Sequence, residues 1–258
     1  MKSEPWLAID TATEVASVAL GSAERVSAVR SMRGARQHAA QIVPLIQDVL
    51  ARAKLQLDEI AGIIVGDGPG SFTGLRIGWA AAKGIAHDRE LVLVAIPSLL
   101  GAAHAAHGET AGPVVACFDA LRGQVFGAMY EFAAGRVETL VPPGLFTVAE
   151  LARVAPARPV LALGDGAERY REEIVSWIGR PPVGLETLPP IAESLLMLSS
   201  YEGARRQLDD ADVAEPVYGR PAEAQVREHS LRRPAARGTC KDRVAVPRPP
   251  SARRGRGR

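Results

Sequence analysis

Asp10, Thr11 and Thr13 close a short apolar run that begins at Trp6, and they place one carboxylate and two hydroxyls within four residues. Hard oxygens of that kind suit a hydrated Mg²⁺ and the phosphate it accompanies. The same residues equally well close an Asx-type turn in a hairpin. Asp119 ends a second apolar run, Pro113–Asp119, and invites the same pair of readings. The densest signal is Gly66-Asp67-Gly68-Pro69-Gly70-Ser71-Phe72-Thr73-Gly74-Leu75-Arg76-Ile77-Gly78. A glycine-rich loop between strand and helix exposes backbone N–H groups at a positive helix end, which suits an anion. The block lacks the Gly-Lys-Ser/Thr ending of a P-loop, and its glycines miss the dinucleotide spacing. Phosphate binding therefore competes with a tight turn in which glycines supply positive φ. His104 and His107 lie three apart with no third ligand nearby, so capping or solvation is favoured over a metal site. No Ser/His/Asp or Cys/His set assembles from sequence order.

The elements that must hold these residues follow from periodicity. Strands are expected near Trp6–Asp10, Val15–Leu20, Arg25–Ser31, Ala61–Val65 and Leu91–Ala95. Gln37–Ala53 has helical spacing through Ile42, Leu45, Ile46, Val49, Leu50 and Ala53, with Pro44 predicting a kink or a later start. A second helix runs from about Thr73 to Ala86 and a third, alanine-rich, from Ser98. Pro113–Asp119 and Gln124–Glu131 then repeat the opening strand–Asp–turn–strand unit, which predicts a duplicated α/β domain with an eroded second copy. Arg136–Val141, a helix at Thr147–Val154, strand Val160–Leu163, the turn Gly164-Asp165-Gly166, helix Ala167–Ile178 and a last helix over Ile191–Leu208 complete it. The division expected is 1–110, 111–225 and a basic disordered tail over 226–258.

Gly74, Gly78 and Ala82 fall at i, i+4 and i+8, leaving one stripe of the second helix nearly bare. Each helical glycine costs roughly 1 kcal/mol in propensity, so close approach by another backbone must offset it. That backbone lies in the same domain or in a partner. Trp79 on the same helix and Ile42, Leu45 and Val49 on the first would complete a partner interface.

With 47% hydrophobic and 23% charged residues in a chain of 258, a core of one or two domains is affordable. No secretory signal or membrane span is expected, and two distant cysteines predict a reducing cytoplasm without disulfide or zinc. The net charge of +2 conceals a split: His229–Arg258 carries ten Lys/Arg against one Asp, and the remainder is acidic. Prolines within that basic stretch argue against its folding, and its charge would favour nucleic acid without sequence preference.

Leu7-Ala8-Ile9-Asp10-Thr11-Ala12-Thr13, His38 with Pro44, and above all Gly68–Gly78 with Lys83-Gly84 resemble the bacterial TsaB (YeaZ) family of the sugar kinase/Hsp70/actin superfamily. Asp119-Ala120, Gly164-Asp165-Gly166-Ala167 and Pro216-Val217-Tyr218 echo it in the right order, so the resemblance spans about 6 to 221. It implies an actin/Hsp70/sugar-kinase-like α/β fold with a reduced second subdomain. It also implies a cytoplasmic, non-catalytic scaffold with no cofactor that pairs with the catalytic paralogue TsaD. That pair installs threonylcarbamoyl on the adenosine beside the anticodon of tRNAs reading codons that begin with adenine. A TsaE-type ATPase joins, tRNA is met indirectly, and the free chain could self-associate. The paralogue's metal-binding His-x-x-x-His positions fall here on Ser98 and Ala102, neither of which supplies an imidazole. Asp10, Thr11, Asp119, Gly164 and Gly166 become relics of a nucleotide cleft. The competing expectation is an active phosphotransferase or a metal-dependent glycoprotease-type peptidase.

Overall fold

The computed structural model describes residues 4–107, 111–206, 208, 210–211 and 213–220. The first sheet takes β1 (Trp6–Asp10), β2 (Val15–Gly21), β3 (Val26–Arg33), β4 (Gly62–Gly66) and β5 (Val92–Ile96) in the order β3-β2-β1-β4-β5. β1–β2 and β2–β3 are antiparallel, whereas β1–β4 and β4–β5 are parallel. The second sheet takes β6 (Val114–Asp119), β7 (Val125–Ala133), β8 (Arg136–Phe146) and β9 (Leu161–Leu163) in the order β8-β7-β6-β9. Its pairings repeat the first scheme: antiparallel, antiparallel, then parallel. The second copy stops one strand short among the described residues. Two sheets of matching connectivity give the actin/Hsp70/sugar-kinase-like α/β architecture.

Alternation along the strands assigns the layers. Leu7, Ile9, Val18, Leu20, Ile63 and Val65 face helices α1 (His38–Ala53) and α2 (Phe72–Arg89). Ala8, Ala19, Ile64 and Ile96 face the other way, onto α3 (Ser98–His107), α7 (Ile191–Leu198) and the inner face of the second sheet. The outer face of that sheet, with Val115, Cys117 and Met129, is covered by α4 (Val148–Val154), α5 (Asp165–Arg169) and α6 (Arg171–Ile178). β4 is buried throughout and reads as an unbroken apolar run, as a parallel strand covered on both faces does.

Three expectations are corrected. α1 neither starts after Pro44 nor breaks there; it runs from His38 with Pro44 on its exposed side, where water can serve the carbonyl the ring leaves unbonded. The helix expected over Ala167–Ile178 is two, divided at Tyr170, whose φ of −106° and ψ of 42° are not helical. α7 ends at Leu198 rather than Leu208, because Ser199 and Ser200 turn their hydroxyls back onto the carbonyls of Leu196 and Met197. The tail expected over 226–258 lies outside the described residues.

Candidate functional site

β1 carries Asp10 to the end of the first sheet, where the chain turns through Thr11 and Ala12 beneath the glycine-rich loop. Asp10 is fully buried, and its Oδ2 accepts a hydrogen bond from Ser98 Oγ at 2.5 Å. Its Oδ1 accepts from Ala12 N at 3.2 Å, and Gly68 N in turn donates to Ser98 Oγ at 3.1 Å. Burial raises the Asp10 carboxyl to about 6, against the lowering effect of the Ser98 and Ala12 bonds.

The glycines explain this burial. A Cβ on Gly66 would overlap the Asp10 carboxylate, and one on Gly70 would strike the Ala12 carbonyl. Cβ atoms on Gly74 and Gly78 would collide with Thr11, whose Oγ1 donates to Gly74 O at 2.7 Å. Ser71 N donates to Ala12 O at 2.7 Å and Ser71 Oγ caps Gly74 N at 3.2 Å. The loop therefore closes on residues 10–12 of its own chain. This corrects the interface expected on the bare stripe: Gly74, Gly78 and Ala82 are buried in the chain's own core, as are Trp79, Ile42 and Val49. The approaching backbone is β1's turn, not a partner helix. Leu45 alone of that set is only half-buried.

A second buried contact was not foreseen. Asp67, 2% exposed, meets Arg206, with Nε 2.6 Å from Oδ2 and a guanidinium N–H donating to Oδ1 at 3.0 Å. Burial raises Asp67 to about 6 while Arg206 pulls it down. Arg206 also lies over the Trp79 ring, donates to Glu215 O at 2.9 Å, and bonds through its backbone to Ala95. It thereby pins the segment 213–220 across the loop, where Val217 N donates to Asp67 O. The partners lie 139 residues apart, and neither residue type nor spacing signals the pair.

Of the residues expected in a nucleotide cleft, Asp119 alone reaches an open one. A cleft of about 460 Å³ is lined by Thr13, Glu14, Val15, Arg33, Asp119, Asp165, Glu168, Arg169, Leu185 and Glu186. Five carboxylates face two guanidiniums there, which disfavours polyphosphate. Asp119 Oδ2 pairs with Arg169 at 2.9 Å and Oδ1 accepts from Leu121 N. Asp165 Oδ1 accepts from Asp119 N and Gly166 N, and burial raises its carboxyl. Asp10 and Thr11 do not face Asp119, because the glycine loop covers them. Gly164 and Gly166 pack against the backbone of Cys117 and Phe118, so they serve strand–helix contact rather than a purine.

His104 and His107 pack against Phe132, and His104 also meets Tyr201 edge-on. Burial and the neighbouring His107 lower His104 to about 4. Among the described residues no group of three His, Cys, Asp or Glu is placed to hold a metal ion. Buried Cys117 is pushed up to about 12, which leaves it unreactive.

Known proteins are similar to this chain over most of its length. The family described as "TsaD: tRNA N6-adenosine threonylcarbamoyltransferase" matches residues 29–173. The tRNA threonylcarbamoyladenosine biosynthesis protein TsaB of Escherichia coli is 33% identical over 226 residues, covering 82% of this chain and 93% of the relative. Its Bacillus subtilis namesake is 29% identical over 225 residues, covering 86% and 96%. The solved structure of YeaZ from Pseudomonas aeruginosa superposes with a TM-score of 0.69 at 30% identity, over 83% of this chain and 99% of that one. With a relative 33% identical over four-fifths of its length and a matching solved structure, the chain belongs to the TsaB (YeaZ) family.

Proposed function

We propose that this chain is a non-catalytic scaffold in tRNA threonylcarbamoyladenosine biosynthesis, working by pairing with a TsaD-type catalytic paralogue. The observation that carries the reading is the sealed Asp10. The carboxylate at the place where a kinase-like fold would hold metal and phosphate is fully buried and bonded to Ser98. Ser98 and Ala102 stand where the resemblance puts the paralogue's metal histidines, and both are fully buried. A TsaE-type ATPase and tRNA would be met through the complex, in the cytoplasm, and the free chain would be able to self-associate. Among the described residues no helix is long and apolar enough to cross a membrane.

The docking face is better sought on the outer side of the same two helices. Thr73, Ala80 and Gly84 are exposed along α2, and a Cβ on Gly84 would meet nothing within 4 Å. Val43 is 54% exposed on α1. A small-residue ridge of this kind admits a facing helix at short distance. Gly84→Arg puts a long cation on the ridge without touching the core. Size-exclusion chromatography of the chain with its paralogue should show co-elution for the wild type and separate peaks for the variant. Undiminished co-elution of a folded Gly84→Arg chain would remove this docking face.

A further inference from the structure

Phe72 opens α2 and is 48% exposed, although burying such a ring is favourable. It is held in a fixed stack. Arg76, one turn later, lies 4.1 Å over the Phe72 ring, and the Tyr218 ring sits 4.6 Å from it, tilted by 41°. Arg76 Nε donates to Tyr218 Oη at 3.2 Å, which fixes the guanidinium plane against both rings. Val217, 41% exposed, continues the patch. Arg220 ties it to the β6–β7 turn by donating to Ala120 O and Gln124 Oε1. The three segments that meet there, 69–79, 120–126 and 216–220, contain Arg76, Arg122 and Arg220 and no Asp or Glu. Through residue 220 the chain has 26 acidic against 20 basic side chains in all, so this is a locally cationic place on an acidic body.

Phe72 and Arg76 also lie on a flank of α2 about 140° around the helix from Ile77 and Ala81, which pack into the core shared with α1. A partner seated on the outer α1–α2 face would border Arg76, which lies one turn from both Thr73 and Ala80, so paralogue pairing is read beside RNA binding in every variant. Planar guanidinium and aromatic faces, held in place on segments without acidic residues, are the surface on which unpaired bases stack. We propose that Phe72, Arg76 and Tyr218 form a stacking platform for unpaired nucleotides of the tRNA, a direct RNA contact by the scaffold itself. This rests on the tRNA reading above.

The probe is a tRNA anticodon stem-loop carrying 2-aminopurine at an unpaired loop position, titrated with the full-length chain. At ~0.3 M potassium chloride, phosphate contacts from the eleven Lys/Arg of residues 221–258 are much weakened, whereas stacking persists. The wild type should bind and quench the fluorophore. Phe72→Leu and Arg76→Lys, which keep apolar bulk and charge, should each weaken binding roughly tenfold and remove the quenching. Phe72→Tyr should restore both. Circular dichroism verifies that each variant is folded, and co-elution with the paralogue is measured in parallel. Affinity and quenching unchanged in folded variants would overturn the platform, as would a wild-type chain that binds no RNA. Loss of paralogue pairing with RNA binding intact would overturn it too, and would make the patch a protein contact. If the wild type fails to pair with the paralogue, the scaffold reading falls while the titration still judges the platform.

Discussion

The Asp10 carboxyl shares its site with one hydroxyl and one backbone N–H, and Ser98 Oγ accepts from Gly68 N while donating to Asp10 Oδ2. Ser98→Ala strips a buried acid of its donor and a buried N–H of its acceptor. The expected cost is about 1–3 kcal/mol, read as a lower urea midpoint at pH 7. Asp10 is raised from 3.8 to about 6 by burial, so the folded state holds its proton more tightly than the unfolded chain does. Its contribution is fully present below pH 4 and is lost as pH rises through about 6. Asp67 is raised likewise and acts in the same direction. Asp10→Asn should flatten the fall in urea midpoint between pH 4 and 6, leaving the part due to Asp67; an unchanged slope would show that Asp10 does not titrate there. Asp10 and Thr11 were legible in the sequence as a turn after a strand. Their burial was not, because it depends on Ser98, 88 residues away, and on glycines whose close approach has no local signature.

At the scale of elements, α2 separates two uses of small residues that look alike in sequence. Gly78 faces Thr11 and Gly84 faces open space. Gly78→Leu should destabilise by at least the 1–3 kcal/mol typical of overpacking, read as a fall in thermal midpoint, while Gly84→Leu should raise that midpoint slightly, by about the 1 kcal/mol of helix propensity that a glycine forgoes. Equal effects would contradict the assignment of faces. The spacing of Gly74, Gly78 and Ala82 shows that something must come close, and the strand-turn that does so belongs to another element. The strands themselves were readable from alternation and turn residues, β1 to the residue. Termini governed by side-chain bonds, as at Ser199 and Ser200, were not. The segment 213–220 is a further case, since it is held through Arg206. Arg206→Gln leaves Asp67 buried beside a neutral partner; because Arg206 is itself one-third exposed, the cost should be nearer 2–3 kcal/mol than the upper end for buried pairs. Hydrogen exchange should show faster exchange at Val217 N in that variant, and unchanged protection would contradict the clamp.

Across the whole molecule, the repeated Asp at the ends of β1 and β6 predicted two related sheets, and their shared strand order bears out the duplication. The same repeat suggested a shared cleft, yet one Asp is covered and the other lies among carboxylates. Duplication of strands preserves topology because each pairing is set by its own alternation, whereas a site between the sheets depends on loops that alternation does not specify. The acidic cleft should give little heat with ATP and Mg²⁺ in calorimetry, and micromolar affinity would contradict its description. The central claim is that the chain supports tRNA modification without performing chemistry at Asp10. Reconstitution of threonylcarbamoylation with the paralogue, the TsaE-type ATPase and either wild-type or Asp10→Asn chain tests it most directly. Modification at an undiminished rate with folded Asp10→Asn is the predicted result. Loss of modification by a variant that still co-elutes with the paralogue would contradict it.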